Sequence, residues 1–287
     1  MSAKILDGKV LAAQLKEQLS AEVTRLKHAF GGVPRVTSIV IGSDPASLSY
    51  VTSQQRAAES LGIHYELQNL KADSTQQDVL DLIAQLNSYT YVHGIIINKP
   101  LPAHIDFYVL INAVSPDKDI EGMNLTNLGR LFLGKTKLVP CTPAAAMMHL
   151  RSTGVDLRGK EAVVVGRSEI VGKPLALLLL QESITTTICH SATSKAGRLN
   201  EHLKAADIVI AAIGKPLFIR GDWIKEGAIV IDVGINQLGD KIVGDVDFSS
   251  VKSKAGFITP VPGGVGPVTA VMLMYNALEA FKAQHKN

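Results

Sequence analysis

This sequence of 287 residues has few cysteines and few aromatic residues, a small net charge and no long apolar run. The two cysteines, Cys141 and Cys189, lack the spacing of metal ligands, so we expect reduced thiols and no metal site. A net charge of +3 without a basic stripe does not indicate nucleic-acid binding. Because no apolar run is long enough for a signal peptide or a membrane span, we expect a cytoplasmic protein that does not bind membranes.

Aliphatic residues are plentiful where aromatic residues are few. Hydrophobic residues make up 46% of the sequence and aromatic residues only 5%, so the core should consist mainly of Ile, Val, Leu and Ala. Such a core is typical of parallel sheets that are covered on both faces. The length allows two domains or one large α/β unit.

Strand and helix patterns alternate in the first half of the chain, which predicts a parallel sheet covered by helices. The predicted strands cover residues 36–41, 64–70 and 92–97, and the predicted helices cover residues 11–29 and 47–61 and a segment that Ser74 caps. A second series follows, with strands at 161–165, 185–189, 208–212 and 228–232, a helix from Gly172 and a last helix at 267–285.

The segment from Gly166 to Pro174 lies between a strand and a helix, where a Rossmann-like fold presents backbone N–H groups to a phosphate. The usual G-x-G-x-x-G spacing is absent, so a plain tight turn is the alternative. Arg167 and Ser168 favour a phosphate site, although Arg167 could instead pair with a surface carboxylate. Binding of a 2′-phosphate by Arg167 would favour NADP over NAD.

The ends of later strands supply further candidates for binding a nucleotide. His190 either faces an adenosine ribose or is a structural histidine, and Asp232 either lies near a nicotinamide ring or caps its strand. The full set of candidate cofactor-binding residues is Gly166, Arg167, Ser168, Gly172, His190, Ser191, Ile213, Gly214, Asp232, Gly234 and Thr269.

Four segments of the chain resemble the bifunctional methylenetetrahydrofolate dehydrogenase/methenyltetrahydrofolate cyclohydrolase family. They are residues 47–56, 94–102, 116–122 and 259–269, and the last closely matches the family's C-terminal signature, Thr-Pro-Val-Pro-Gly-Gly-Val-Gly-Pro-Val-Thr. Together with residues 140–143 and the turn at Gly166, they span nearly the whole chain.

The resemblance implies an α/β fold with two domains around a cleft. Residues 1–140 would form a three-layer, folate-binding catalytic domain, with residues 268–287 returning to it as the final helix. Residues 141–267 would form a Rossmann-like, NAD(P)-binding domain with a parallel sheet, and the resemblance also implies a homodimer through these nucleotide domains. The family oxidises 5,10-methylenetetrahydrofolate with NAD(P)⁺ and hydrates the methenyl product to 10-formyltetrahydrofolate.

Three positions of the implied folate site differ from the family. Gln54 stands where the family has a proton-transferring lysine, Asn98 where it has a glutamine, and Glu121 where it has the aspartate that holds the pterin; in addition, Asn124 replaces a histidine. An amide does not exchange a proton near neutral pH, so Gln54 cannot replace the amine. We therefore expect the cyclohydrolase step to be reduced or altered more than hydride transfer.

Lys99 is a candidate to restore the missing amine, because it follows Asn98 at the end of a strand. Strand alternation points neighbouring residues to opposite sides, so a solvated surface lysine is the alternative. The implied catalytic residues are Gln54, Asn98, Lys99 and Glu121, and the implied substrate-binding residues are Tyr50, Ser47, Pro100, Leu101, Pro262, Gly263 and Gly264.

Two other functions stay open at this point. The first is a methylenetetrahydrofolate-dependent transferase that transfers a one-carbon unit to another acceptor in a specialised biosynthetic pathway. The second is a non-catalytic regulator that binds folate and NADP. A laboratory substitution at position 54 alone would not account for the changes at positions 98, 121 and 124.

Overall fold

The computed structural model describes residues 2–285, apart from the side chains of residues 45, 46, 47 and 49, and it divides into two compact units. The first unit comprises Leu15–Cys141 and residues 270–285, and the second comprises residues 2–14 and Thr142–Thr269. In chain order, the strands and helices are β1 (Lys4–Ile5), α1 (Gly8–Phe30), β2 (Arg35–Ile41), α2 (Pro45–Ser60), β3 (His64–Leu70), α3 (Gln76–Ser88), β4 (Gly94–Ile97), α4 (Phe107–Ala113), α5 (Leu125–Phe132), α6 (Cys141–Ser152), β5 (Glu161–Val165), α7 (Gly172–Gln181), β6 (Thr185–Cys189), α8 (Ser191–Lys195), α9 (Leu199–Ala205), β7 (Ile208–Ala211), β8 (Ile229–Asp232), β9 (Asn236–Leu238), β10 (Lys241–Val243), α10 (Phe248–Lys252), β11 (Phe257–Ile258) and α11 (Val265–Gln284).

The sheet of the first unit has three parallel strands, with β2 between β3 and β4. All four residues of β4 are buried, as expected for a parallel strand that is covered on both faces. In the register of the sheet, Ser38 of β2 lies beside Leu67 of β3 and Ile96 of β4. The residues that follow β2 and β4 therefore lie at the same edge of the sheet.

Helix α3 begins one residue later than Ser74 predicts. Thr75 is the N-cap, because its side chain accepts a hydrogen bond from the Asp78 N–H while the Asp78 carboxylate accepts one from the Thr75 N–H. This capping box uses a carboxylate three residues after the cap, which Ser74 does not have. The Ser74 prediction is wrong for that reason.

The second unit contains a six-stranded sheet in the order β1-β11-β8-β7-β5-β6, in which every pairing is parallel. Strand β5 lies between β6 and β7, so successive strands extend the sheet in opposite directions from β5. Ligands of open α/β sheets bind at such a switch point, beyond the carboxyl ends of the strands. The predicted α/β class and the Rossmann-like parallel sheet are confirmed.

The two ends of the chain differ in which unit they join. Strand β1 pairs with β11, and residues 2–14 lie in the second compact unit. The last turns of α11 lie in the first unit, where Lys282 forms ion pairs with Glu22 of α1 and with Glu279. No helix among the described residues is long and apolar enough to cross a membrane.

Candidate active site

Gln54 is buried in the first unit, where α2 packs against β3. The hydroxyl of Tyr65 on β3 donates to Gln54 Oε1 at 2.8 Å. The phenol of Tyr50 lies one helical turn earlier on α2 and is half-exposed. Burial raises the pKa of Tyr50, and the Gln54 amide opposes this effect. Position 54 therefore holds an oriented amide rather than an acid or base.

Asn98 follows β4 and hydrogen-bonds to β2. Its Nδ2 donates to Ser38 Oγ at 2.6 Å and to the Ile39 carbonyl at 3.0 Å. Asn98 Oδ1 is buried and has no hydrogen-bond partner among the described residues. The amides of Asn98 and Gln54 therefore bind different partners.

Glu121 lies beside the end of β4. The Ile97 N–H donates to Glu121 Oε2 at 3.1 Å, one residue before Asn98. Burial raises the pKa of the Glu121 carboxyl to about 7; the charge of Asp119 adds to this effect, while the Ile97 N–H and the charge of Lys99 oppose it. Glu121 therefore changes its charge close to neutral pH.

The Lys99 ammonium lies over the ring of Phe107, with Nζ 3.5 Å from the ring centroid. This distance is that of a cation–π contact. The same charge acts on the Glu121 carboxyl, so the amine is near another candidate site residue. The hypothesis that Lys99 replaces the missing lysine remains a prediction.

The other substrate-binding candidates of the first unit lie at the same segments. Leu101 is partly buried against the core on the α3 side of the sheet, whereas Pro100 is exposed. The side chain of Ser47 lies outside the described residues.

Asn124 has a structural role, which corrects the expectation that position 124 belongs to a remodelled site. Its side-chain oxygen accepts from the Thr126 N–H at 2.8 Å and thereby caps α5. Its Nδ2 donates to the carbonyls of Ile111 and Val114 at 3.1 and 3.0 Å, at the end of α4. The side chain thus joins two helices, and its amide groups are satisfied by them.

Lys118, within the segment that resembles the family's Pro-x-Lys-Asp motif, also has a structural role. Its buried ammonium donates to the carbonyls of Leu86, Asn87 and Tyr89 at 3.0, 2.8 and 2.6 Å. These carbonyls lie at the C-terminal end of α3, where a positive charge is favoured. Lys118 is thereby committed to holding α3.

The turn between β5 and α7 in the second unit requires two glycines. Gly166 has a φ of +129°, and a Cβ there would lie 2.2 Å from the Ala212 carbonyl oxygen. A Cβ on Gly172 would lie 2.2 Å from the Gly166 carbonyl oxygen. Ser168 Oγ accepts from the N–H groups of Val171 and Gly172 at 3.1 and 3.4 Å, which holds the turn in place.

A pocket of about 360 Å³ opens beyond the carboxyl ends of β5, β6 and β7, at the switch point of the sheet. Six of the candidate cofactor-binding residues line it, namely Gly166, Arg167, Ser168, His190, Ser191 and Ile213. His190 Nδ1 accepts from the Ala192 N–H at 3.3 Å, so its ring caps α8 and also faces the pocket. Among the described residues, Arg167 forms no ion pair with a carboxylate.

Two further cations line the same pocket and were missed by sequence reasoning. Lys195 lies in the last turn of α8 and Lys215 lies in the loop after β7. The spacing of Lys195, one helical turn after Ser191, could have indicated a cation on this face. Together with Arg167 they surround the pocket with positive charge suited to phosphate groups.

Asp245 organises the loop after β7, although the sequence analysis did not select it. This fully buried carboxylate accepts from the N–H groups of Ile213, Gly214 and Lys215 at 2.6, 3.1 and 2.8 Å. Asn236 Nδ2 donates a fourth hydrogen bond at 2.9 Å. The loop wall of the pocket therefore depends on one carboxylate.

Asp232 ends β8 and serves mainly as a backbone acceptor. It accepts from the N–H groups of Gly234, Asp245 and Val246 at 2.9, 3.0 and 2.9 Å. Burial raises the pKa of its carboxyl to about 7, and these hydrogen bonds oppose that effect. The geometry supports the interpretation of Asp232 as a strand-end cap.

A second pocket of about 310 Å³ in the same unit contains the glycine-rich segment before α11. Pro262, Gly263 and Gly264 line it together with Lys9, Asp232 and Gly234. The hydroxyl of Thr269 donates to the Val265 carbonyl at 3.2 Å within α11. The candidate residues of the C-terminal segment thus belong to the second unit, while those at positions 50–121 belong to the first.

Two family models match most of the chain. Residues 6–121 match the catalytic domain of tetrahydrofolate dehydrogenase/cyclohydrolase, and residues 140–285 match the NAD(P)-binding domain of the same family. The bifunctional protein FolD of Bacillus pumilus is 50% identical over 283 residues, which are 98% of this chain and 99% of that protein.

Solved structures of relatives have the same fold. A bifunctional FolD enzyme, methylenetetrahydrofolate dehydrogenase/cyclohydrolase, from Campylobacter jejuni is 42% identical, with a TM-score of 0.93 over 98% of this chain and 99% of its own. The Trypanosoma brucei N5,N10-methylenetetrahydrofolate dehydrogenase-cyclohydrolase, solved with NADP and an inhibitor, is 37% identical, with a TM-score of 0.92 over the whole of both chains.

Proposed function

Because this chain belongs to the tetrahydrofolate dehydrogenase/cyclohydrolase family, we propose that it oxidises 5,10-methylenetetrahydrofolate with NADP⁺ and has a weakened cyclohydrolase step. The observation that carries the second part is the oriented amide of Gln54 at the position of the proton-transferring lysine. Positions 98 and 121 differ as well, and both lie close to the end of β4.

The pocket at the switch point fits a dinucleotide. Its volume lies in the range of small-molecule sites, and its turn brings backbone close enough that Gly166 and Gly172 admit no side chain. Arg167, Ser191 and Lys195 would hold the phosphates, and the cationic wall favours NADP while leaving NAD possible. When bound, the nicotinamide supplies the acceptor for hydride.

Hydride transfer depends mostly on the alignment of two bound reactants, and proximity alone supplies about 7–11 kcal/mol. Gln54 and Tyr50 can orient the folate through hydrogen bonds without exchanging protons. Hydration of the methenyl bridge needs proton transfer, for which a positioned acid or base contributes roughly 10²–10⁴-fold. Replacement of the amine by an amide should therefore affect hydration more than oxidation.

We also propose a homodimer through the second units. Strand β6 is at an edge of the sheet, and the described residues pair it only with β5. Ile188 on β6, Leu180 on α7 and Ile170 before α7 are exposed apolar residues of this region. A second chain would cover both the apolar side chains and the unpaired strand edge.

Two assays on the purified protein test the proposed function. With methylenetetrahydrofolate and NADP⁺ we expect NADPH to form, and with methenyltetrahydrofolate we expect slow loss of its absorbance. Replacing Gln54→Lys together with Asn98→Gln should raise the hydration rate by roughly 10²-fold or more, because it restores the amine and its neighbour.

The matched control is Gln55→Lys, which adds an amine on the next residue of α2, where it can pair with Glu59. It should leave both rates unchanged. No NADPH at saturating ligands would refute the dehydrogenase. Hydration by the unaltered protein as fast as by the double variant would refute the weakened cyclohydrolase.

A further inference from the structure

Two hydrogen-bonded pairs, Asn98 with Ser38 and Tyr65 with Gln54, lie next to each other in the first unit. Asn98 Nδ2 lies 2.6 Å from Ser38 Oγ, and Tyr65 Oη lies 2.8 Å from Gln54 Oε1. The Ser38 hydroxyl acts on the Tyr65 phenol and the Gln54 amide acts on the Tyr50 phenol, and each lowers the pKa of the phenol that it faces. All five residues belong to the first unit, and the four from Asn98 to Gln54 are buried.

The direction of each hydrogen bond follows from one carbonyl. The Ile39 carbonyl can only accept, so the nitrogen of the Asn98 amide faces it, and this nitrogen also donates to Ser38. Ser38 has one hydroxyl proton, and because Ser38 lowers the pKa of Tyr65, we infer that this proton faces the phenol oxygen. Tyr65 gives its own proton to Gln54 Oε1. The NH₂ group of Gln54 is thereby left to donate to Tyr50.

We propose that Tyr65 and Ser38 are positioning residues for the folate reaction, which fix the NH₂ group of Gln54 toward Tyr50 and couple position 54 to position 98. The proposal rests on the proposed function, because it takes Gln54 and Tyr50 as parts of the folate site. Tyr65 and Ser38 need not touch the substrate. They act through Gln54.

The same arrangement links the residue types that positions 54 and 98 can hold. A lysine ammonium at position 54 has only protons to donate, so Tyr65 would have to accept from it and turn its own proton toward Ser38. Ser38 would then need an acceptor for its hydroxyl proton, but Asn98 presents a donor that the Ile39 carbonyl holds in place. A buried hydroxyl without an acceptor costs about 1–3 kcal/mol. Lysine at position 54 is therefore disfavoured while Asn98 is present.

A double-mutant cycle tests the positioning role. The kcat and both KM values for methylenetetrahydrofolate-dependent reduction of NADP⁺ are measured for the unaltered protein, Tyr65→Phe, Gln54→Ala and the double variant. Tyr65→Phe should lower kcat about tenfold, since Gln54 Oε1 loses its donor, and should leave the KM for NADP⁺ unchanged. In the Gln54→Ala background the same change should lower kcat by less than about twofold, because there is no amide left to position.

Two further variants keep the result interpretable. Ser38→Ala should reproduce the pattern of Tyr65→Phe, because it removes the hydroxyl that acts on the Tyr65 phenol. Tyr91→Phe removes the hydroxyl of an exposed tyrosine of the same unit and should change neither kcat nor KM. An equal loss of kcat from Tyr65→Phe with and without Gln54 would overturn the proposal, because Tyr65 would then act through the fold alone.

Failure of the proposed function gives a different result. If the unaltered protein forms no NADPH, the dehydrogenase proposal fails. The double-mutant cycle is then repeated with the affinity for tetrahydrofolate as the measured quantity, determined by calorimetry for the same four proteins. A loss of affinity from Tyr65→Phe that disappears in the Gln54→Ala background would still support the positioning role, and an unchanged loss would refute it.

Discussion

The carboxyl of Glu121 accepts a hydrogen bond from the backbone N–H of Ile97 beside Asn98, and burial raises its pKa to about 7. A carboxylate accepts hydrogen bonds from the N–H groups of a pterin, and a protonated carboxyl does so with fewer oxygens. Folate binding should therefore depend on pH near neutrality.

We expect the KM for methylenetetrahydrofolate to fall by about ninefold between pH 6 and pH 8, since the ionised fraction of Glu121 rises from about a tenth to about nine tenths. The sign follows from the raised pKa, because the carboxylate exists only above it. Glu121→Gln should give a KM that is higher at pH 8 and does not change with pH. A flat profile for the unaltered protein would contradict the assigned role.

The side chains that align the site were harder to predict than the site itself. Gln54, Asn98 and Glu121 were selected because they lie in segments that resemble the family's motifs. Ser38 and Tyr65 lie within buried or partly buried strands, where the sequence pattern indicates only burial. Their role depends on the register of β2 with β3 and β4, which strand periodicity does not determine.

Among the elements, the loop after β7 shows how a distant segment shapes the cofactor pocket. Its three consecutive N–H groups all donate to Asp245, which lies some thirty residues later in the chain. Sequence reasoning placed Ile213 and Gly214 at the nucleotide from the βα pattern, but gave no reason to choose Asp245. A side chain that recruits a remote loop has no local pattern.

Asp245→Asn should raise the KM for NADP⁺ about tenfold and leave the KM for methylenetetrahydrofolate nearly unchanged. An amide would bring its NH₂ group against backbone donors, and the loss of hydrogen bonds to a charged group costs roughly 1.5–3 kcal/mol each. The midpoint of thermal unfolding should also fall, and NADP⁺ should partly restore it. The matched control, Asp240→Asn in the exposed turn between β9 and β10, should change none of these quantities.

Short elements were mostly missed, whereas long buried strands were predicted well. Strands β3, β5 and β6 begin and end at their predicted residues. Helices α4 and α5 were not predicted, although Asp106 and Asn124 cap them, because seven or eight residues give too few turns for a clear helical period. Capping side chains were the better signal there.

At the scale of the whole molecule, the exposed edge of the six-stranded sheet predicts self-association. Sedimentation equilibrium should give twice the chain mass of 30.7 kDa, and Ile188→Lys should reduce it to a single chain. A charge on the edge strand would be buried without a partner in such a dimer. Leu238→Lys, an exposed apolar position on β9 of the same unit, should leave the mass unchanged. A single-chain mass for the unaltered protein would refute the dimer.

The division into units could be predicted only in part. The chain passes from the first unit to the second between Cys141 and Thr142. This position is one residue from the boundary that the resemblance implied. Strand β1 has only two residues, and nothing in them indicates pairing with β11, more than 250 positions later in the chain. Local sequence patterns do not reveal such long-range pairing, so strand β1 was not predicted.

The ammonium of Lys118 has a wider consequence for how this lineage can change. Because three helix-terminal carbonyls depend on it, selection for a folded protein preserves this lysine whether or not catalysis continues. Its motif can therefore persist in descendants whose chemistry has been lost or exchanged. Structural residues such as Lys118 indicate the family to which a chain belongs, whereas the residue at position 54 bears on the reaction that it catalyses.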